Sequence, residues 1–132
     1  EMDPSLPQRI NNAIRSKIIM ITIYHNPRCS KSRQALDILS QKHVDFDVVL
    51  YLKNPLCEDQ LENIISILRI EPEELVRKNE TDWKDNYKGK ALSHKETIMA
   101  IAKYPKLMER PIVVNNKNAV IARPPERVLE II

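Results

Sequence analysis

Glycine is nearly missing from this chain. Gly89 is the single one among 132 residues, which excludes a glycine-rich loop that wraps a phosphate in backbone N–H groups. Cysteine is scarce too. Cys29 and Cys57 are too few for a disulfide framework, so both thiols are expected free in a reducing cytoplasm. No apolar run reaches the roughly 20 residues that a membrane-spanning helix needs, so no membrane partner is expected. No His/Cys spacing resembles a metal site, and no metal is expected. Acidic residues are absent from Pro4 to Leu36, where six Lys/Arg stand. A basic field of that kind concentrates anions. The net charge of +3 is too small to point to nucleic acid, and no nucleic-acid partner is expected.

What remains is an ordinary globular composition, 42% hydrophobic and 30% charged, at a length that suits one domain with one core. Residues 1–17 are polar, with Pro4 and Pro7 and no clear periodicity. They read as an N-terminal extension or tail without the apolar segment of a secretory signal. Residues 18–132 read as the single folded domain.

Ile18–Tyr24 is a near-continuous apolar run of strand length, as in a strand covered on both faces. Asn26-Pro27 breaks it. A helix follows with Ala35, Leu36, Ile38 and Leu39 at helical spacing, ending near Lys42-His43. Phe46–Leu52 reads as a second strand, stopped by Lys53-Asn54-Pro55. Strand, helix and strand make a βαβ unit. Leu61, Ile64, Ile65 and Leu68 mark an amphipathic helix. A short helix is expected from Glu71-Pro72 to about Asn79, then helical turns and a mobile cover over 80–92. Ser93 and Glu96 form a capping box that opens another helix. Ile112–Val114 and Ala119–Ala122 flank an Asn-rich turn and predict a β-hairpin. Pro124-Pro125 starts a last helix carrying Val128, Leu129, Ile131 and Ile132. The order βαβ, helices, ββα predicts an α/β fold: a thioredoxin-like core with a mixed four-stranded sheet and a helical insert.

The chemistry concentrates at Cys29. It stands where a strand ends and a helix begins, and helix N-termini favour a thiolate over a thiol. Its neighbours Arg28, Ser30, Lys31, Ser32 and Arg33 are all polar, unlike the surroundings of a buried structural cysteine. Position 32 is Ser, so the motif is C-x-x-S and lacks the resolving thiol of a dithiol switch. Position 35 is Ala, where a phosphatase-type phosphate loop would carry Arg. Cys57, beside Glu58 and Asp59, reads as a partly buried bystander. His25 could orient or deprotonate Cys29, or only support the loop. Arg77, Arg110 and Arg123 each lie at an element boundary. As a set they would make a planar-donor clamp for a tetrahedral oxyanion. The Arg110-Pro111 bond is a candidate cis peptide beside the cysteine loop.

Four segments resemble the glutaredoxin-coupled arsenate reductases. They are I-T-I-Y-H-N-P-x-C-x-x-S-R at 21–33, L-V-R-K-N at 75–79, E-R-P-I-V-V at 109–114 and A-R-P-P-E-x-V-L-E-I-I at 122–132. The resemblance implies an oxidoreductase that reduces arsenate to arsenite with Cys29 as nucleophile. It implies oxyanion binding by Arg77, Arg110 and Arg123, and support from His25, Pro111 and Ser32, the last as a hydrogen-bond donor to the thiolate. It also implies glutathione as co-substrate, glutaredoxin as partner and no tightly bound cofactor. A monomer is expected. Plasmid-type members of that family carry Gly-Thr after the cysteine, and this chain has Ser30-Lys31, a pattern similar to chromosomal relatives. Two other readings of the same fold are a monothiol glutathione-dependent oxidoreductase on another substrate and a redox-responsive transcription regulator. The regulators characteristically carry C-x-x-C, which Ser32 argues against.

Overall fold

The computed structural model describes residues 21–132. The expected extension over 1–17 and the first three residues of the expected first strand lie outside them. Strand β1 (Ile21–Tyr24) is central. It pairs in parallel with β2 (Phe46–Val49) and antiparallel with β3 (Ile112–Asn115), which pairs with β4 (Asn118–Ile121). The order is β2-β1-β3-β4, a mixed four-stranded sheet. Between β1 and β2 lies α1 (Ser30–Gln41). Between β2 and β3 lie α2 (Glu58–Leu68), α3 (Thr81–Asn86) and α4 (His94–Lys103). This is the thioredoxin-like arrangement with a helical insert.

The period-2 geometry of strands separates two apolar layers. Ile21 and Ile23 of β1 join Val113, Val120, Ala35 and Leu39 of α1, and Val128. Tyr24 and Ile112 turn the other way, toward Leu61, Ile64, Ile65, Ile98 and Ile101 of the insert. Ile23, Leu39, Val113 and Val128 have no exposed surface, and burial of each such side chain contributes about 1.5–3 kcal/mol. The Ser93–Glu96 capping box is present: Glu96 N–H donates to Ser93 Oγ, and Ser93 N–H to Glu96 Oε1. With glycine scarce, His43, Arg69 and Asn116 take left-handed backbone at φ 57°, 59° and 58°.

Three elements differ from expectation. Strand β2 ends at Val49, because the Leu50 carbonyl accepts the N–H groups of Lys53 and Asn54 and closes a turn. That turn carries Tyr51 into the core at 1% exposure. The helix expected over 71–79 is one 3₁₀ turn, Pro72–Leu75. Val76 then forms a bridge with Met108, and Arg77 N–H donates to the Leu107 carbonyl, so the backbone is committed to another segment. The last helix is also 3₁₀, Pro125–Glu130. With three residues per turn, Pro125, Val128 and Ile131 share a face. Pro125 and Val128 are buried, while Leu129 and Ile132 are exposed. The 80–92 segment is fastened to the core by Trp83, which is buried and packs against Tyr87 with ring centroids 5.3 Å apart and planes tilted by 37°. Among the described residues no helix is long and apolar enough to cross a membrane.

Candidate active site

Cys29 is the N-cap residue of α1, with φ −95° and ψ 122°. The turn that delivers it is tied at both ends. His25 N–H donates to the Val49 carbonyl at 2.9 Å, and Cys29 N–H donates to the Asn26 carbonyl at 3.0 Å. Asn26 Oδ1 accepts the Arg28 N–H at 3.0 Å. His25, Asn26 and Ser32 are all buried, so the thiol sits on a loop with a fixed interior.

The Ser32 hydroxyl differs from its expected role. Its Oγ lies 2.6 Å from His25 Nδ1 and accepts the Asn26 N–H at 3.0 Å. It braces the loop, and the group from Ser32 that favours the thiolate is its backbone N–H. His25 likewise engages Ser32. Burial and the nearby Arg33 cation push the His25 pKa down, which suits a neutral ring held by the serine. Arg33 itself donates to the Pro27 carbonyl at 2.8 Å.

The arginines arrive from sheet ends far along the chain. Arg110 precedes β3 and Arg123 follows β4. Both Arg110-Pro111 and Arg123-Pro124 are cis; the first was expected and the second was not. Pro111 is buried, and its carbonyl accepts the Ala122 N–H at 2.8 Å. Arg123 Nη1 donates to the Arg110 carbonyl at 3.1 Å and stands 3.9 Å from Cys29 Sγ. Burial raises the Cys29 pKa, but the Ser32 N–H, the Arg110 guanidinium and the Lys31 N–H together outweigh it, and the net direction is downward. Burial also raises the Glu109 pKa against the pull of Arg123.

The structure thus brings Cys29, Arg110 and Arg123 together. Arg77 is engaged with Glu80 and not with the thiol. Its Nη1 is buried without a hydrogen-bond partner, 3.6 Å from Glu80 Oε2. Cys57 is exposed rather than partly buried and caps α2, where its N–H donates to Gln60 Oε1 at 2.9 Å.

One site residue escaped the sequence reading. Tyr51 looked like one more apolar position in a strand, and its polar tip was the only signal against that. Burial pushes its pKa up to about 12; the Cys29 and Glu80 charges add to this, and Arg110 opposes it. Asn26 approaches the hydroxyl, yet the oxygen has no partner in hydrogen-bond geometry. A cavity of about 690 Å³ opens elsewhere, lined by Tyr87, Leu92, Met99 and Lys103 among others. It contains none of these site residues, and a small oxyanion needs convergent donors more than volume. Among the described residues no group of three or more His, Cys, Asp or Glu is placed to hold a metal ion.

Chemically, a thiolate-favouring cysteine beside two guanidinium groups can attack an electrophilic centre that carries anionic oxygens. The profile of the ArsC family matches residues 24–131. The chain is 47% identical over 114 residues to the uncharacterized protein YfgD of Escherichia coli K12, covering 85% of this chain and 96% of that one. It is 40% identical to the arsenate reductase of Haemophilus influenzae, over 85% of this chain and 98% of that one. The solved arsenate reductase of Vibrio cholerae superposes with a TM-score of 0.83 at 39% identity, over 86% of this chain and 99% of that one.

Proposed function

The chain belongs to the ArsC family, and from that premise we propose that it is an oxidoreductase that reduces arsenate to arsenite through Cys29, using glutathione and glutaredoxin. The observation that carries the reading is the single thiol at a helix N-cap, with Arg123 Nη1 at 3.9 Å and the Arg110 guanidinium favouring its ionised form.

The Cys29 thiolate attacks arsenic, an S–As bond forms, and one arsenate oxygen leaves as hydroxide or, with a proton, as water. Arg110 and Arg123 hold the remaining oxygens by charge-assisted hydrogen bonds, and Arg77 completes the clamp as the anion draws it in. Glutathione thiolate then attacks the cysteine sulfur. The S–As bond breaks with its electron pair on arsenic, which becomes trivalent, and a Cys29–glutathione disulfide forms. Glutaredoxin thiolate takes the glutathione and restores the Cys29 thiolate. An external electron donor is required because position 32 is Ser, which offers no second thiol to close an internal disulfide. Dependence on glutathione fits a reducing cytoplasm.

The test is arsenate-dependent NADPH oxidation in an assay coupled through glutathione, glutathione reductase and glutaredoxin. Turnover above the no-protein control is expected. Its absence in protein with intact thiols would reject arsenate and favour another substrate for the same monothiol chemistry.

A further inference from the structure

Among the described residues, three buried side-chain polar atoms have no hydrogen-bond partner: Tyr51 Oη, Arg77 Nη1 and Arg110 Nε. Buried polar groups are normally satisfied, and each exception calls for a cause. The three are not scattered. Arg110 acts on Cys29. The charges that bear on the Tyr51 oxygen are those of Arg110, Cys29 and Glu80, and Glu80 is the neighbour of Arg77. Tyr51 and Arg110 therefore share the surroundings of Cys29, and Arg77 adjoins them through Glu80.

They also share a chemical character. Guanidinium nitrogens only donate, and a phenol held protonated has one proton to give. Arginines cannot accept that proton, and no acceptor, the Glu80 carboxylate and the Asn26 amide included, stands in hydrogen-bond geometry to the phenol. An anion with several oxygens, bound among these donors, would supply the partners that Glu80 at 3.6 Å from Arg77 does not. Tyr51 is held rigidly for such a role. It is 1% exposed, enclosed by the insert core and carried inward by the turn at the Leu50 carbonyl.

We propose that the Tyr51 hydroxyl donates a hydrogen bond to an oxygen of the oxyanion held at Cys29, as a neutral donor beside the arginines. This rests on the reading of Cys29 as the oxyanion-attacking thiol. Such a contact adds affinity and orientation without adding charge. The alternative is a phenol stranded in the core with no part in binding, and the two differ in what Tyr51→Phe does.

The experiment uses full-length protein carrying Cys57→Ser, so that iodoacetamide reports on Cys29 alone. The arsenate concentration that halves the alkylation rate is measured with Tyr51 and with Tyr51→Phe. About a tenfold rise is expected for Tyr51→Phe, the size of one lost hydrogen bond to an ion. The unfolding midpoint should be equal or higher, because the ring stays and an unsatisfied hydroxyl leaves. Half-protection unchanged within about twofold overturns the proposal, as does a loss of protection that tracks a lowered midpoint. Turnover of the Cys57→Ser protein with Tyr51 in place, on the same preparation, separates this from the parent reading. Arsenate protection that needs Tyr51, without turnover, rejects the reductase and upholds the contact. Turnover with equal protection in both proteins rejects the contact alone.

Discussion

Cys29 and Cys57 hold the same local position. Each is the N-cap of an α-helix, and each has extended backbone, at φ −95°, ψ 122° and φ −80°, ψ 171°. Both meet the positive end of a helix dipole, an effect of roughly 0.3–1 kcal/mol on a nearby anion. Their surroundings then diverge. The first turn of α2 carries Glu58 and Asp59, and that of α1 carries no acid. Cys29 is partly covered and faces Arg110 and Arg123, whereas Cys57 is exposed. A helix start is therefore a shared background, and guanidinium groups delivered from distant strands make the difference.

The same substitution at both caps should break that parity most widely. Cys29→Ser should lower arsenate reduction by on the order of a thousandfold or more, as loss of a nucleophile does. Cys57→Ser should keep it in the coupled assay. Equal losses would mean that both thiols serve one relay and that the comparison is wrong.

Removing the guanidinium groups should make Cys29 more like an ordinary capping thiol. Arg110→Ala is expected to lower kcat/KM about a hundredfold, in the range for losing one oxyanion donor, and to move the thiol titration upward. Arg123→Ala should do less, about tenfold, because its contact is exposed and 3.9 Å long. An unchanged thiol titration in both variants would contradict the electrostatic account.

The pH dependence of stability gives a third test. The Cys29 pKa is lowered in the folded protein, so folding favours the thiolate. That contribution is fully present above the pKa of the unfolded thiol and is lost as pH falls through the folded value. Denaturant titrations should show the stability of the parent, relative to Cys29→Ser, growing as pH rises across that interval. A difference that does not change with pH would remove the claim.

The smallest effect is expected at the other cap. Serine is a preferred N-cap residue, and Gln60 already accepts the Cys57 N–H at 2.9 Å. Cys57→Ser should stabilise the fold by about 0.5 kcal/mol, measured by urea unfolding. Destabilisation would show that the thiol has a packing role its exposure does not suggest.

Local rules carried the sequence reading a long way. The period of Leu61, Ile64, Ile65 and Leu68 placed α2, the Ser93–Glu96 box opened α4, and the Asn-rich turn closed the β3–β4 hairpin. Two of the misplaced elements have different causes, one tertiary and one local. Val76 left its helix for Met108, and Leu50 closed a turn where a strand was expected. At the site, Cys29, Arg110 and Arg123, which the structure brings together, were named from residue type, boundary position and the resemblance of the segments that carry them. The direction of the Ser32 hydroxyl was not legible, since it depends on His25 being pinned to Val49 across the sheet.

The sequence by itself determined a lone thiol at a strand-to-helix junction, an acid-free basic stretch around it, and the order of elements. These follow from residue type and spacing over one or two turns. Only the tertiary structure decided which arginines reach the thiol, that Tyr51 is buried with its hydroxyl unsatisfied, and that Cys57 is left at the surface. Cys29 and Arg123 meet across 94 positions of sequence. Contacts over that separation are set by strand pairing and core packing, which no local pattern encodes.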